Sequence, residues 1–255
     1  GAKDRLAAVV TCLLFTFSGY HYAFAHEVRA YALFTLLAVT SVWLLTRGAQ
    51  RTRSGTLIGL AVVNVLMVYT HFFGWLMVGL QLLLVIALRE WRHQWRPYVG
   101  MLIATVVAYL PYAAVFYQRL GQSVAHGTWL EPPLAEEVYN MLWRWNNAPV
   151  LVVITLVLIA AAGTQHRLRP LGLRLGLLWA FVPLLGMFLI SFAVPMYLDR
   201  YLVYAAPGYA LLVGVASTSL ITAGRASRWI GMVPVVGMLL TFVPWRGLGR
   251  TPHHV

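Results

Sequence analysis

The feature that most constrains this chain is a set of long apolar runs without a charged residue. The longest, Ser54–Leu88, holds 35 residues with no Lys, Arg, Asp or Glu. As one helix it would be roughly 52 Å long at about 1.5 Å per residue, which exceeds one crossing of a hydrocarbon core about 30 Å thick. We therefore divide the run near Tyr69-Thr70-His71-Phe72-Phe73-Gly74, where polar and aromatic residues suit a turn at a membrane interface.

The remaining runs extend the same pattern over the whole chain. With 60% hydrophobic and 10% charged residues, the composition excludes an ordinary soluble domain. We predict an all-α, polytopic membrane protein with about nine transmembrane helices in a single domain, residues 1–255. The predicted spans are 6–25, 30–46, the two halves of 54–88, and about 97–118, 146–164, 175–197, 201–222 and 229–245.

The segments between the runs alternate between many and few basic residues. Thirteen of the 19 basic residues share one side of the membrane and six the other, and the acidic residues show the opposite bias. The positive-inside rule then predicts an N-in/C-out orientation. The cytoplasmic basic residues are Lys3, Arg5, Arg47, Arg51, Arg53, Arg89, Arg92, Arg96, Arg167, Arg169, Arg174, Arg225 and Arg228, and the outer ones are Arg29, Arg119, Arg144, Arg200, Arg246 and Arg250.

This distribution also explains the net charge of +12. The basic residues form small groups between apolar segments and no stripe on a soluble face, so we expect no nucleic-acid partner. The single cysteine, Cys12, excludes an intrachain disulfide. Neither metal-ligand spacing nor a nucleotide-binding motif occurs, so no cofactor is evident and a divalent cation has no support in the sequence.

The longest predicted outer loop is residues 118–147, which contains Gly, Pro, Glu and Trp. Within it, Val138–Trp145 is typical of a short amphipathic helix on the membrane surface. Its Trp side chains could alternatively stack on sugar rings.

Three polar groups lie on the predicted outer side, each close to the end of a span. Arginine suits bidentate binding of phosphate, and the neighbouring carboxylates and tyrosines could orient it. The alternative is structural: an ion pair or an Arg-Tyr pair that anchors a helix end, and a His hydrogen-bonded within a turn. The groups are His26-Glu27-Val28-Arg29-Ala30-Tyr31, Tyr69-Thr70-His71 and Asp199-Arg200-Tyr201.

These three segments carry a resemblance to one family. YHYAFAHEVRAYALFTLLAV, VYTHFFGWLMVGLQLLLVI and DRYLVYAAPGYALLVGVA resemble, in this order and spacing, segments of bacterial membrane glycosyltransferases of the GT-C fold. The similar proteins are protein O-mannosyltransferase-like and lipid A aminoarabinose transferase-like enzymes, including lipopolysaccharide-core galacturonosyltransferases. The likeness covers nearly the whole chain.

The resemblance implies transfer of a sugar from a polyprenyl-phosphate-linked donor to a lipid, glycan or protein acceptor at the periplasmic face of the bacterial inner membrane. Arg29 would bind the carrier phosphate, with Glu27 and Tyr31 orienting it. His71 and Arg200 would line the same cavity, and the substrate-binding set also includes Asp199 and Tyr201.

One departure concerns the catalytic base, which in the family is an Asp in the first outer loop after an earlier helix. No Asp-Glu pair occurs here, the chain starts at Gly1 and its first Met is Met67. We therefore expect the acidic base to lie before residue 1, a first helix and outer loop to be missing, and the piece alone to be inactive.

The rival class is a polytopic transporter or lipid flippase, which would also contain Pro-broken helices. Transporters usually show repeated halves, and the sequence shows neither a repeat nor an evident polar pair at mid-membrane. A non-enzymatic assembly partner is a third possibility, which the Glu27-x-Arg29 and Tyr-Thr-His patterns disfavour only weakly.

Overall fold

The structure is a computed structural model that describes residues 1–27, 29–50, 54–125, 131–164 and 170–242. Every regular element in these ranges is helical, so the all-α prediction is confirmed. The helices are α1 (Ala2–Thr16), α2 (Gly19–Ala25), α3 (Tyr31–Gln50), α4 (Ser54–Thr70), α5 (Gly74–Ala87), α6 (Trp95–Ala125), α7 (Glu136–Asn146), α8 (Pro149–Gly163), α9 (Pro170–Ile190), α10 (Ala206–Ile221) and α11 (Arg225–Thr241), with short 3-10 helices at Arg89–Gln94 and Asp199–Leu202.

Several of these helices have the length and apolarity of membrane spans. Three helices are both long enough and apolar enough to cross a membrane. The number rises to five when two bent helix pairs are each counted as one span. The three are Tyr31–Gln50, Arg89–Val115 and Leu171–Ile190. The bent pairs are α1 with α2, at 63°, and α7 with α8, at 90°. These helices are compatible with a membrane protein.

The helix boundaries agree with the sequence in some places and differ in others. The split of the 35-residue run is confirmed, because α4 ends at Thr70 and α5 begins at Gly74. The predicted loop at 118–147 is wrong at its start, since α6 continues to Ala125, whereas the helix predicted at 138–145 is present as α7. The span predicted to reach 197 ends at Ile190, because Pro195 disfavours helical geometry in the residue before it and supplies no N–H.

Six arginines used in the orientation argument fall outside the described residues. These are Arg51, Arg53, Arg167, Arg169, Arg246 and Arg250.

The chain divides into two compact units. The first unit comprises Gly1–Glu27, Ala135–Leu177 and the segment from Ala206 onward. At its centre is α10, of which 12 of the 16 residues are buried. Packing against α10 depends on small residues: a Cβ added at Gly231 on α11 would lie 2.6 Å from the carbonyl oxygen of Ser217. Such close backbone contact is typical of helices that associate in a membrane.

Asn147 holds together the break between α1 and α2. Its Oδ1 accepts the N–H of Gly19 at 2.7 Å, and its Nδ2 donates to the carbonyls of Phe17 at 2.7 Å and Met238 at 3.3 Å. A helix break leaves backbone donors and acceptors without intrahelical partners, and Asn147 supplies partners on both sides. Its φ of 63° places it in the left-handed region, where Asn is among the tolerated residues.

A closed ring of hydrogen bonds links α7, α8 and α10. Asn146 Nδ2 donates to the Tyr209 hydroxyl at 2.7 Å, Tyr209 and Thr155 lie 2.9 Å apart, and Thr155 Oγ1 donates to Asn146 Oδ1 at 3.1 Å. All three residues are at most 3% exposed. Because each hydroxyl has one proton, the order Asn146 to Tyr209 to Thr155 to Asn146 satisfies all three side chains.

The second unit comprises Val28–Leu134 and Leu178–Ala205. Near the middle of α4 and α5, Asn64 and Gln81 exchange two amide hydrogen bonds of 2.9 Å, and both residues are 0% exposed. Gln81 also donates to Ser41 on α3 at 3.0 Å. The expectation that no polar pair occurs mid-span is therefore wrong. Because the amides satisfy each other inside the packing, we interpret the pair as structural.

Replacing Asn147 tests its role in the first unit. We expect Asn147→Ala to lower the free energy of unfolding by about 1–3 kcal/mol, because partly buried backbone groups lose their partners. Asn147→Gly loses the same hydrogen bonds but tolerates the left-handed φ, so its loss should be smaller by about 1 kcal/mol. Denaturant titration in mixed micelles measures both. Equal stability of the Ala variant and the wild type would contradict this role.

A double-mutant cycle tests the amide pair of the second unit. Asn64→Leu and Gln81→Leu should each destabilise the protein by about 1–3 kcal/mol, because each deprives the other buried amide of the two hydrogen bonds that the pair exchanges. The double variant should lose less than the sum, with a coupling energy of about 0.5–2 kcal/mol. Denaturant titration in the same micelles gives the free energies of unfolding of the wild type, the two single variants and the double variant. Strict additivity of the losses would show that the amides do not interact.

Candidate functional site

The site is built on the turn between α4 and α5 in the second unit. The N–H of His71 donates to Met67 O at 3.0 Å and the N–H of Gly74 donates to His71 O at 2.8 Å. A Cβ at Gly74 would lie 2.7 Å from Met67 O, so only glycine allows α5 to start this close to α4. The sequence Thr-His-Phe-Phe-Gly thus forms a tight turn that fixes the position of His71.

The hydrogen bonds of the turn also set the state of the His71 ring. The backbone N–H of Phe73 donates to His71 Nδ1 at 3.2 Å. Burial lowers the pKa of His71 to about 4, so the ring is neutral at pH 7. Because Nδ1 accepts a hydrogen bond, the ring proton lies on Nε2, which is a hydrogen-bond donor.

Aromatic rings surround His71 on several sides. Phe34 and Phe73 stack on the imidazole with centroid distances of 5.1 Å and 5.4 Å. Tyr31 and Tyr201 lie 5.9 Å and 5.6 Å from it, both tilted. We call these four rings and His71 the His71 cluster. It brings together three residues that the sequence singled out from three separate segments.

Arg200 adjoins the His71 cluster through Tyr201. Its guanidinium carbon lies 5.7 Å from the centroid of the Tyr201 ring, within the range of a cation–π contact. Its Nε is buried and has no hydrogen-bond acceptor among the described residues. The Asp199 carboxylate accepts the backbone N–H of Arg200 at 2.7 Å within the first turn of the short 3-10 helix.

The two remaining predicted residues lie on either side of the boundary between the units. Glu27 belongs to the first unit and is half-buried, whereas Arg29 belongs to the second unit and is exposed. Arg29 and Asp199 each make a further interaction. A substrate-binding role for the seven predicted residues stays a prediction.

Sequence reasoning missed three rings at this site. Phe34 lies one helical turn after Tyr31 on α3 and presents the same face. Phe73 follows His71 by two residues in the turn, and Tyr204, which is 0% exposed, contacts Phe34 at a centroid distance of 5.0 Å. The helical spacing of Phe34 from Tyr31 can be recognised in the sequence. The contact between Tyr204 and Phe34 cannot, because it arises only from the tertiary fold.

A second aromatic group lies beside the same turn, at the end of α4, at the start of α5 and on α6. Tyr69 contacts Tyr109 and Tyr112 at centroid distances of 5.4 Å and 5.7 Å, and Trp75 contacts Tyr109 at 5.1 Å. Tyr69 donates its hydroxyl to Ala108 O at 2.9 Å. Tyrosine and tryptophan concentrate at membrane–water interfaces. This group is therefore typical of helix ends that lie at such an interface.

Neither a metal site among the described residues nor a related protein of known function assigns a role to this site. The described residues contain no group of three or more His, Cys, Asp or Glu placed to hold a metal ion. No family model matches the chain, and comparisons with curated proteins and with solved structures find no match. The resemblance to GT-C glycosyltransferases therefore rests on the three sequence segments alone.

The low pKa of His71 predicts a pH dependence of stability. In the unfolded chain the His71 pKa lies near 6.5, and in the fold it lies at about 4. Between these values the unfolded state binds more protons, so the stability present above about pH 6.5 is lost as the pH falls towards 4. His71→Asn cannot titrate, and its side-chain oxygen can accept the Phe73 N–H.

Thermal unfolding in detergent between pH 7.5 and pH 4 checks this expectation. The wild type should lose more of its Tm over this interval than His71→Asn does. Parallel curves would show that His71 is not held neutral by the fold.

Proposed function

We propose that this chain belongs to a membrane glycosyltransferase of the GT-C type, which moves a sugar from a polyprenyl-phosphate donor to an acceptor. In this proposal about nine helices cross the bacterial inner membrane with an N-in/C-out orientation. Membrane lipids surround the helices, and the acceptor is a lipid, a glycan or a protein. The three sequence segments support the reaction class.

The observation that carries the proposal is the position of Arg200 beside the His71 cluster. A guanidinium whose buried Nε has no acceptor among the described residues retains donor capacity for an anion. A phosphate oxygen provides such an acceptor, and arginine binds phosphate through parallel N–H groups. The adjacent Tyr201 ring provides a flat surface for a sugar ring or a lipid chain.

The chemical step requires stabilisation of a leaving phosphate. The acceptor oxygen forms a bond to the anomeric carbon, the bond from that carbon to the phosphate oxygen breaks, and the carrier phosphate leaves with the electron pair. The acceptor's proton passes to a base, which we leave unassigned in this chain. Arg200 stabilises the charge that develops on the phosphate, and Arg29 has the same role in the proposal. The Nε2–H of neutral His71 donates to a sugar or phosphate oxygen.

The charges of the second unit support the proposed orientation. The turn that holds His71 lies at one end of α4 and α5, beside the Tyr and Trp group. Gly48, near the end of α3, lies against Gln94 beyond the other end of α5, in the region that carries Arg47, Arg89 and Arg92. A basic end and an aromatic end are expected of helices that follow the positive-inside rule.

Transport is the alternative function. A transporter places polar residues where they contact its substrate, whereas Asn64 and Gln81 are 0% exposed and bonded to each other. This buried pair does not favour the alternative.

Substitution of Arg200 tests the proposal in membranes that contain the protein with its natural termini. Arg200→Gln should reduce transfer of label from a radiolabelled polyprenyl-phosphate sugar by about 10²–10³-fold, the usual effect of removing one transition-state donor. Arg200→Lys keeps the positive charge but lacks the planar guanidinium that binds two oxygens at once, so its transfer activity should fall less than that of Arg200→Gln. Arg29→Ala should also abolish transfer while insertion is retained.

Arg225→Gln is the matched control, since Arg225 is exposed at the start of α11 in the first unit. It should transfer at the wild-type rate. Full activity of Arg200→Gln, or substrate uptake into vesicles without glycosyl transfer, would overturn the proposal.

A further inference from the structure

The second unit has a basic end whose arginines serve no purpose in the proposed reaction. Gly48 on α3 lies against Gln94, since a Cβ at Gly48 would be 3.2 Å from Gln94 Oε1 and 3.7 Å from Thr56 on α4. This contact joins the end of α3 to the 3-10 helix that precedes α6. We define the basic end as Arg47, Arg89, Arg92 and Arg96, all exposed and all within five residues of Gly48 or Gln94.

Two of these arginines lie over exposed tryptophan rings. The guanidinium carbon of Arg47 is 4.4 Å from the ring centroid of Trp43, and that of Arg96 is 5.3 Å from the ring centroid of Trp95. Trp43 is 50% exposed and Trp95 is 52% exposed. A cation–π contact holds each guanidinium at the level of its indole, and exposed indoles of membrane proteins concentrate at the headgroup level.

The basic end has an excess of positive charge that its own residues do not balance. Glu90 is the one acidic residue between Leu88 and Trp95. Arg92 donates through Nε to Ile86 O at 2.8 Å, which ties this side chain to the end of α5. Several fixed cations beside two interfacial indoles form a surface that complements an anion held at the membrane surface.

We propose that the basic end binds the anionic headgroups of bilayer lipids, such as phosphatidylglycerol. A lipid is favoured over a free phosphate ion, because α3 and the helix that follows Arg89 are long and apolar enough to cross a membrane, and both reach the basic end. The indoles of Trp43 and Trp95 contact the glycerol and upper acyl region, while the guanidinium groups bind the phosphate. This inference depends on membrane insertion and is independent of glycosyl transfer.

Tryptophan quenching by brominated lipids tests the proposal on the complete protein in zwitterionic nanodiscs. Brominated phosphatidylglycerol should quench Trp43 and Trp95 at lower mole fraction than brominated phosphatidylcholine does. The contribution of the two indoles is obtained by difference from Trp43→Phe/Trp95→Phe. In Arg47→Gln/Arg96→Gln the preference should fall about tenfold or more, since each arginine near the surface contributes about fivefold.

The matched control is Arg144→Gln/Arg225→Gln, which removes two exposed arginines of the first unit. It should keep the full preference for phosphatidylglycerol. Equal quenching by the two lipids in the wild type, or equal loss in the two double variants, would overturn the proposal.

A second measurement does not require folding of the variants. Short-chain phosphatidylglycerol should raise the Tm of the wild type in neutral detergent more than short-chain phosphatidylcholine does, and glycerol phosphate should leave it unchanged. An equal rise with glycerol phosphate would show binding of a free anion and contradict the lipid assignment.

Discussion

The packing of both units depends on finding partners for polar groups inside apolar helices. An unpaired backbone group in hydrocarbon costs several kcal/mol, so a helix can break there only if another residue supplies the missing hydrogen bonds. Asn147 does this for the break between α1 and α2, since it binds Gly19 N–H and Phe17 O at once. His71 acts similarly in its own turn by accepting the N–H of Phe73. In both cases the side chain that permits the break is thereby held in a fixed orientation.

This constraint explains which parts of the fold could be predicted from sequence. The helical class and the turn at residues 69–74 follow from composition, from the length of the apolar runs and from the polar residues between them. The break after Phe17 has a local signal in Ser18, whose side chain accepts the His21 N–H, but its bond to Asn147, 130 residues away in the chain, could not be predicted. The extension of α6 through Ala125 is a similar case. Gln118 and Arg119 predict the start of a loop, yet polar residues also continue a helix that leaves the apolar region.

The candidate site was predictable in its residue types and less so in its arrangement. The sequence singles out Tyr31, His71 and Tyr201 separately, and the structure places both tyrosine rings within 6 Å of the His71 imidazole. The sequence could not show that Phe34 and Phe73 stack on that ring, because apolar residues abound in every helix here. It also could not show that His71 is kept neutral, since the lowered pKa results from burial by residues of α3 and of the 3-10 helix at Asp199–Leu202.

The second unit has arginines in two different environments at the two ends of its helices. At one end Arg200 lies beside the His71 cluster with a buried Nε, a position in which a charge is costly without a partner. At the other end Arg47 and Arg96 are exposed and lie over exposed indoles, where solvent lowers the cost of their charge. Exposure accounts for the low cost of the second group and does not account for the first. An arginine that is partly removed from solvent, with no acceptor for its Nε among the described residues, is therefore the residue whose charge most requires a function.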